Sequence, residues 1–193
     1  KFRNKIKRPQ REGMVTKFGA EHLDAFYQVF AVNMRDLGSP VLPRGFFRRI
    51  TEVFPGEAVV GATYWKGRPV AGGFGFLWGN QFEMTWSSAL REVSSMKPNM
   101  LLYWNFMERV IERGAGRFDF GRSTPGTGTH EFKLHWGGED VPLPWRRWSA
   151  RPRRAGSGKD GSMLRLATRV WKRFPVAVAN FVGPTMAAGL PWW

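Results

Sequence analysis

The chain has 193 residues, of which 42% are hydrophobic and 15% aromatic, enough apolar mass for a domain with its own core and too much for a disordered chain. Thirty Lys and Arg against 15 Asp and Glu give a formal net charge of +15, which points to an anionic partner: nucleic acid, a phosphorylated substrate or a membrane surface. The absence of cysteine excludes disulfide scaffolds, thiolate metal sites and cysteine nucleophiles, and no apolar run of about 20 residues suits a transmembrane helix.

Residues 1–13, opening "KFRNKIKRPQRE", read as a basic lead-in, and 14–18 suit a short strand. "AEHLDAFYQVFAVNMRDLG" predicts a helix: Leu23, Phe26, Tyr27, Phe30 and Met34 recur at spacings of three and four, and Gly38 stops it. "PRGFFRRITEVFPG" predicts a second, with Pro43 near its start and Pro55-Gly56 past its end. "EAVVGATYW" reads as a strand closed by the turn signal "KGRP", and "VAGGFGFLWGNQFEMTWSSA" as two more joined at Gly79-Asn80. Gly72, Gly73 and Gly75 within one strand suggest a bulge or a ligand lying close to the backbone. "KPNMLLYWNFMERVIERGAG" is the clearest helix, with Met100, Trp104, Met107 and Ile111 as its apolar stripe. "RFDFG" reads as a short strand and "VPLPWRRW" as the last one. The domain therefore runs over 14–148 and is of mixed α+β type. Residues 149–162 follow as a basic, flexible linker. In the tail, 163–193, "MLRLATRVWKRF" sets Leu164, Leu166, Val170, Trp171 and Phe174 among Arg165, Arg169, Lys172 and Arg173, an amphipathic pattern that suits peripheral contact of 163–174 with the inner face of an anionic membrane, or packing on the domain.

The chemistry gathers in "RFDFGRSTPGTGTHEFKLHWGG", residues 117–138. It is no Walker loop, because Thr129 stands where the phosphate-binding Lys would be. No metal is expected either: of His22, His130 and His135 only the last two are near each other, and they are five apart.

Three segments, "NMRDLGSPVLP", "SSALREVSSMKPNMLLYW" and "RFDFGRSTPGTGTHEFKLHWG", resemble in that order the FemAB-related proteins associated with exosortase and exopolysaccharide systems. These are a branch of the Fem-type peptidyltransferases of the GNAT acyltransferase fold. The resemblance covers roughly residues 14–148 and implies a mixed, mostly antiparallel sheet flanked by helices. It also implies that this domain is the C-terminal one of two in tandem, its partner being an N-terminal GNAT-like half of the same protein; the start at Lys1 agrees with that. The implied activity is cytoplasmic transfer of an acyl or aminoacyl group to an amine of a cell-envelope or exopolysaccharide precursor, without a cofactor and with aminoacyl-tRNA as the anionic donor. The alternatives are an acyl-CoA-dependent N-acyltransferase and a non-catalytic RNA- or envelope-binding module. In the acetyl-CoA pyrophosphate loop of GNAT enzymes, Gln/Arg-x-x-Gly-x-Gly/Ala, the first residue is nearer the glycines than Arg122 is to Gly126 and Gly128, and no helix signal follows at once. Tight acetyl-CoA binding is therefore not expected.

Acyl transfer to an amine needs stabilisation of the carbonyl oxygen as it turns negative, a base to keep the amine neutral, and two substrates held together. Glu131, His130 and Asp119 are the candidate bases. In the family a Phe-Lys pair is linked to catalysis and to placing the tRNA acceptor end. Here that pair is Phe132-Lys133, with Trp136-Gly137 closing the motif. On this reading Lys133 is the electrostatic catalyst, Phe132 its packing partner, and Arg122 a phosphate or carboxylate clamp. Ser123, Thr124, Gly126, Gly128, His130 and Trp136 complete the substrate contacts, and Lys133 is expected beside the 121–130 loop, near the C-terminal end of the "RFDF" strand.

Overall fold

A computed structural model describes residues 2–144 and 160–189. In chain order the elements are α1 (Phe2–Arg11), β1 (Val15–Phe18), α2 (Leu23–Leu37), α3 (Arg44–Val53), β2 (Ala58–Trp65), β3 (Arg68–Trp78), β4 (Gln81–Ala89), α4 (Pro98–Glu112), β5 (Arg117–Asp119), α5 (Gly128–Leu134), α6 (Asp160–Trp171) and α7 (Val176–Ala188). The sheet has the order β1-β2-β3-β4-β5. The first four strands form an antiparallel meander, and β5, reached by the α4 crossover, runs parallel to β4. Lys66 and Gly67 both take positive φ, 49° and 76°, which suits a two-residue hairpin turn whose twist matches that of the strands.

Each face of the sheet is covered by helices. On one face Phe26 and Phe30 of α2 and Phe47 of α3 pack on Val60 and Phe74. Phe47 lies at the centre of this group, its ring centroid 5.2 Å from Phe26 and 5.1 Å from Trp86, both edge-on, a geometry that pairs ring edges with ring faces. On the other face Leu102, Phe106 and Val110 of α4 pack on Val59, Phe82 and Met84. Most of the described aromatic rings are thus buried in the core or packed against it.

The meander, the first two long helices, α4 and β5 stand where the sequence places them, but four details differ. Residues 2–11, expected only as a basic lead-in, form a helix that buries Ile6 and Pro9 and lies on α4. The buried stripe of α4 is Leu102, Tyr103, Phe106 and Val110 rather than Trp104, Met107 and Ile111; Trp104 is 37% exposed and Ile111 66%. This helix is apolar on two neighbouring faces, and contact with the sheet selects one. Of the two alternatives for the strand glycines, the bulge is met by the β3–β4 register shift at Gly75, whereas the close approach is by protein rather than ligand: a Cβ on Gly73 would stand 2.7 Å from the Phe106 ring, and one on Gly72 2.9 Å from Phe26 Cα. Last, Val141–Pro144 form no strand, and the rest of "VPLPWRRW" lies outside the described residues, as does the linker up to 159; residues 160–162 begin α6.

The described part of the tail packs on the domain. Gly38 ends α2 at φ 82°, with Gly38 N bonded to Arg35 O and Ser39 N to Met34 O, each at 3.0 Å, a left-handed cap. Against this end, Trp171 is buried and donates from Nε1 to Ser39 O at 3.2 Å, and Arg35 Nη1 donates to Phe174 O at 2.8 Å. Among the described residues no helix is long and apolar enough to cross a membrane.

Candidate active site

The parallel pairing of β4 and β5 is short. It joins Gln81 to Arg117, Phe82 to Phe118 and Glu83 to Asp119, while β4 continues to Ala89. β4 also carries one extra residue: Glu83 lies opposite Phe76 and Trp86 opposite Phe74, so the register slips between them. Such a bulge bends a strand. Beyond Glu83 and Asp119, then, the two strands part. After the bulge Ser87 faces α4, its Oγ 2.7 Å from Tyr103 Oη, and Ser88 faces α2, its Oγ accepting from Asn33 Nδ2 at 3.1 Å.

The loop after β5 and the short helix α5 border this opening. Asp119 braces the loop: its Oδ1 accepts from Gly121 N at 2.7 Å. Thr127 caps α5, accepting from His130 N at 3.4 Å and donating to Thr124 O at 2.7 Å. The sequence shows no such helix, because its start is written as Thr-Gly-Thr-His instead of a cap followed by Glu or Gln. His130 instead reaches back to Gly126, the residue before the cap. Its Nδ1 accepts from Gly126 N at 3.3 Å, so its Nε2 carries the proton and donates to the Asp140 carboxylate at 2.9 Å. Both ring nitrogens are thus engaged in holding the loop.

Lys133 reaches back from α5 to the C-terminal end of β5. Its Nζ donates to Gly121 O at 2.8 Å and to Arg122 O at 2.7 Å. Burial lowers its pKa from the ordinary lysine value, and the Asp119 carboxylate partly offsets that. Phe132 and Trp136 turn the other way, onto Tyr103, with ring centroids 5.1 and 6.3 Å from it; Trp136 also takes the edge of Phe2 from α1 at 4.7 Å. These two rings seat α5 on the core. Glu131 lies exposed on α5, and its carbonyl accepts from His135 Nδ1 at 2.6 Å. Arg122, Thr124, Gly126 and Gly128 lie on the exposed rim of the loop. Ser123 Oγ, Trp136 Nε1 and Thr85 Oγ1 are buried without a hydrogen-bond partner among the described residues.

One group was not singled out in the sequence. Glu83, paired with Asp119 across the two strands where they part, has a pKa raised above 4.5 by burial first and by the Asp119 charge second, with Arg122 acting in the opposite sense. The signal in the sequence was a lone carboxylate in the middle of "QFEMTW", which by itself reads as the solvent side of an alternating strand.

A cavity of about 270 Å³ adjoins the N-terminus of α4, lined by Lys5, Arg91, Ser94, Lys97, Asn99 and Phe132 among others. Three of these are basic. The backbone donors of this helix end are few: Pro98 at its first position has no N–H, and Met100 N is bonded to Lys97 O at 3.0 Å. A pyrophosphate here would be met mainly by side-chain charge rather than by a cradle of backbone N–H groups. A larger cavity, about 410 Å³, lies between α1, β1 and α4 and contains none of the predicted site residues. Among the described residues, no group of His, Asp and Glu is placed to hold a metal ion.

Solved structures share this architecture. The crystal structure of FemX superposes with a TM-score of 0.59 at 11% identity, over 69% of this chain and 52% of FemX, so the chain spans about half the length of that protein. AAC(6')-Iy, solved with the bisubstrate analogue CoA-S-monomethyl-acetylneamine, gives 0.57 at 10% identity, over 71% of this chain and 99% of that one. The C-terminal domain of a putative lysylphosphatidylglycerol synthetase from Agrobacterium fabrum gives 0.51 at 12% identity, over 63% and 40%. At such identities the likeness is one of fold. No curated protein matches the sequence. The family model of the acetyltransferase (GNAT) domain matches residues 1–134, more than half of the chain. Sequence family, meander, α4 crossover and parting strands agree, and the chain belongs to the GNAT acetyltransferase domain family.

Proposed function

We propose that this protein is a GNAT-type acyltransferase that moves an acyl or aminoacyl group onto an amine, with a cell-envelope or exopolysaccharide precursor as acceptor. The observation that carries this reading is the gathering of Glu83, Asp119 and Lys133 at the point where β4 and β5 part. An ammonium has three donors. Two of those of Lys133 are held by the carbonyls of Gly121 and Arg122, which fixes the group in place; the third is directed to the carbonyl oxygen of the acyl donor as it turns negative. Glu83, exposed at the parting of the strands and with its pKa raised above 4.5, takes the proton that the amine loses as the new amide bond forms. The donor's former attachment atom leaves with the acyl carbon's bonding electrons. Asp119 positions the loop, and Phe132 and Trp136 support Lys133 from below. His130 holds the loop through both ring nitrogens, which leaves Glu83 better suited than His130 to act as the base.

The donor is aminoacyl-tRNA on this reading. Support comes from the net charge of +15, from the basic lining of the cavity at α4, and from the fold shared with FemX. A second reading, with an acyl-CoA donor, is favoured by the fold shared with a protein solved with a CoA bisubstrate analogue, but the scarcity of free backbone donors at α4 weighs against it. The test supplies the protein with aminoacyl-tRNA or acetyl-CoA and an amine-bearing envelope precursor, and reads the product by mass spectrometry. Transfer from aminoacyl-tRNA alone is expected. Transfer from acetyl-CoA alone would replace the donor, and no transfer from either would overturn the enzymatic reading.

A further inference from the structure

The α6–α7 hairpin has two apolar faces, and the described residues cover one. Along α7, Val176, Ala179, Gly183 and Ala187 recur at helical spacing and turn inward. Ala179 and Ala187 are buried, and a Cβ on Gly183 would stand 3.0 Å from Val41 N. With Trp171 and Arg35 these contacts hold the hairpin on the end of α2. On the outer side Phe181 is 86% exposed, with Val178 at 41% and Met186 at 46%. From Val176 to Ala188 the helix has no charged residue. Just before it, Arg169, Lys172 and Arg173 are all exposed, and residues 161–193 contain no Asp or Glu.

This combination selects its partner by charge. A second copy would bring the same cations together, with no acidic residue in the segment to meet them. A bilayer surface with anionic headgroups meets both halves of the pattern. Its phosphates take the Arg side chains, and the boundary between headgroups and acyl chains takes the apolar face. At 13 residues α7 is too short to cross a bilayer, which needs about 20, so it would lie along the surface. The sequence pattern alone places this contact on 163–174 and counts Trp171 within it; Trp171 is buried, Leu166 and Val170 stay exposed on α6, and α7 adds Phe181 as the most exposed ring.

We propose that the outer face of the α6–α7 hairpin docks the protein on an anionic phospholipid surface, with Phe181, Val178 and Met186 entering the headgroup boundary and Arg169 and Arg173 on lipid phosphates. This inference stands independently of the acyl-transfer reading. The test is flotation of the full chain with vesicles of phosphatidylcholine alone or mixed with phosphatidylglycerol. The protein floats with the mixed vesicles and not with the neutral ones. Phe181→Asp lowers the partition about tenfold or more, because the ring that enters the headgroup boundary is lost. Arg169→Gln with Arg173→Gln lowers it roughly thirtyfold. Both variants keep the wild-type melting transition, since the altered side chains are exposed. Failure to float, equal binding to neutral vesicles, or wild-type binding by both variants would each overturn the proposal. So would a concentration-dependent dimer that Phe181→Asp dissolves, which would assign the face to a second copy.

Discussion

Replacing Lys133 by alanine removes an amine that holds two carbonyls and stands beside Asp119. Hydrogen bonds to a charged group contribute about 1.5–3 kcal/mol each, but several factors reduce the net loss here. Water can reach the carbonyls once the side chain is gone, since Arg122 is exposed and Gly121 only half-buried. The amine also loses hydration in its seat, as its lowered pKa indicates. The remaining loss is about 1–2 kcal/mol, confined to the loop, and shifts the melting temperature by no more than a few degrees. The catalytic loss is larger: removal of one oxyanion stabiliser costs about 10²–10³ in rate. The two effects are separable by measuring the transfer rate alongside hydrogen exchange over residues 120–127. Lys133→Ala should lose the rate, loosen the loop and leave the core protected. Lys133→Arg keeps the charge but brings a larger, planar group to a seat made of two carbonyls, and should rescue only part of the rate. An alanine variant with full transfer activity would refute the reasoning. So would a rate loss explained entirely by global unfolding.

Glu83→Gln should stabilise the protein and yet depress transfer. The folded-state pKa of Glu83 is raised, so the folded state binds the proton more tightly than the unfolded chain, and stability falls as pH rises through the window from 4.5 to the raised value. The Gln variant avoids that loss. Its advantage should be absent below pH 4.5 and present at neutral pH, small because solvent screens a side chain it still reaches, while the transfer rate drops about 10²–10⁴ with the base gone. Melting curves across pH together with the rate check both halves; a flat stability difference across pH would refute the first. The register of α4 gives a third outcome. Phe106→Ala should cost about 3–5 kcal/mol in chemical denaturation, since Phe106 is fully buried, whereas Trp104→Ala should cost well under half of that. The reverse order would restore the stripe that periodicity alone suggests.

What the sequence determined by itself is local in cause. The spacing of Phe26, Phe30 and Met34 with a glycine behind them marks α2 and its end, because one helical face and one left-handed cap are properties of a short segment. Lys-Gly and Gly-Asn between apolar runs mark the hairpins for the same reason. Three motif segments in order point to the GNAT acyltransferase fold, as the family model bears out, and the net charge marks an anionic partner as the expectation. Tertiary structure decided whatever depends on two distant segments meeting. α1 is a helix because Ile6 and Pro9 find α4; alone, ten residues with this many charges carry little helical signal. α4 has two apolar faces, and the sheet chose between them. The glycines of β3 are set by Phe26 and Phe106, which come from separate helices. Glu83 is a candidate base because the β4 bulge and the short β5 bring Asp119 opposite it, 36 residues on. Trp171 is core because it meets Ser39, and that meeting leaves Phe181 as the exposed ring. Spacing within a segment fixes which way side chains can point, and only packing settles which of those directions is inside.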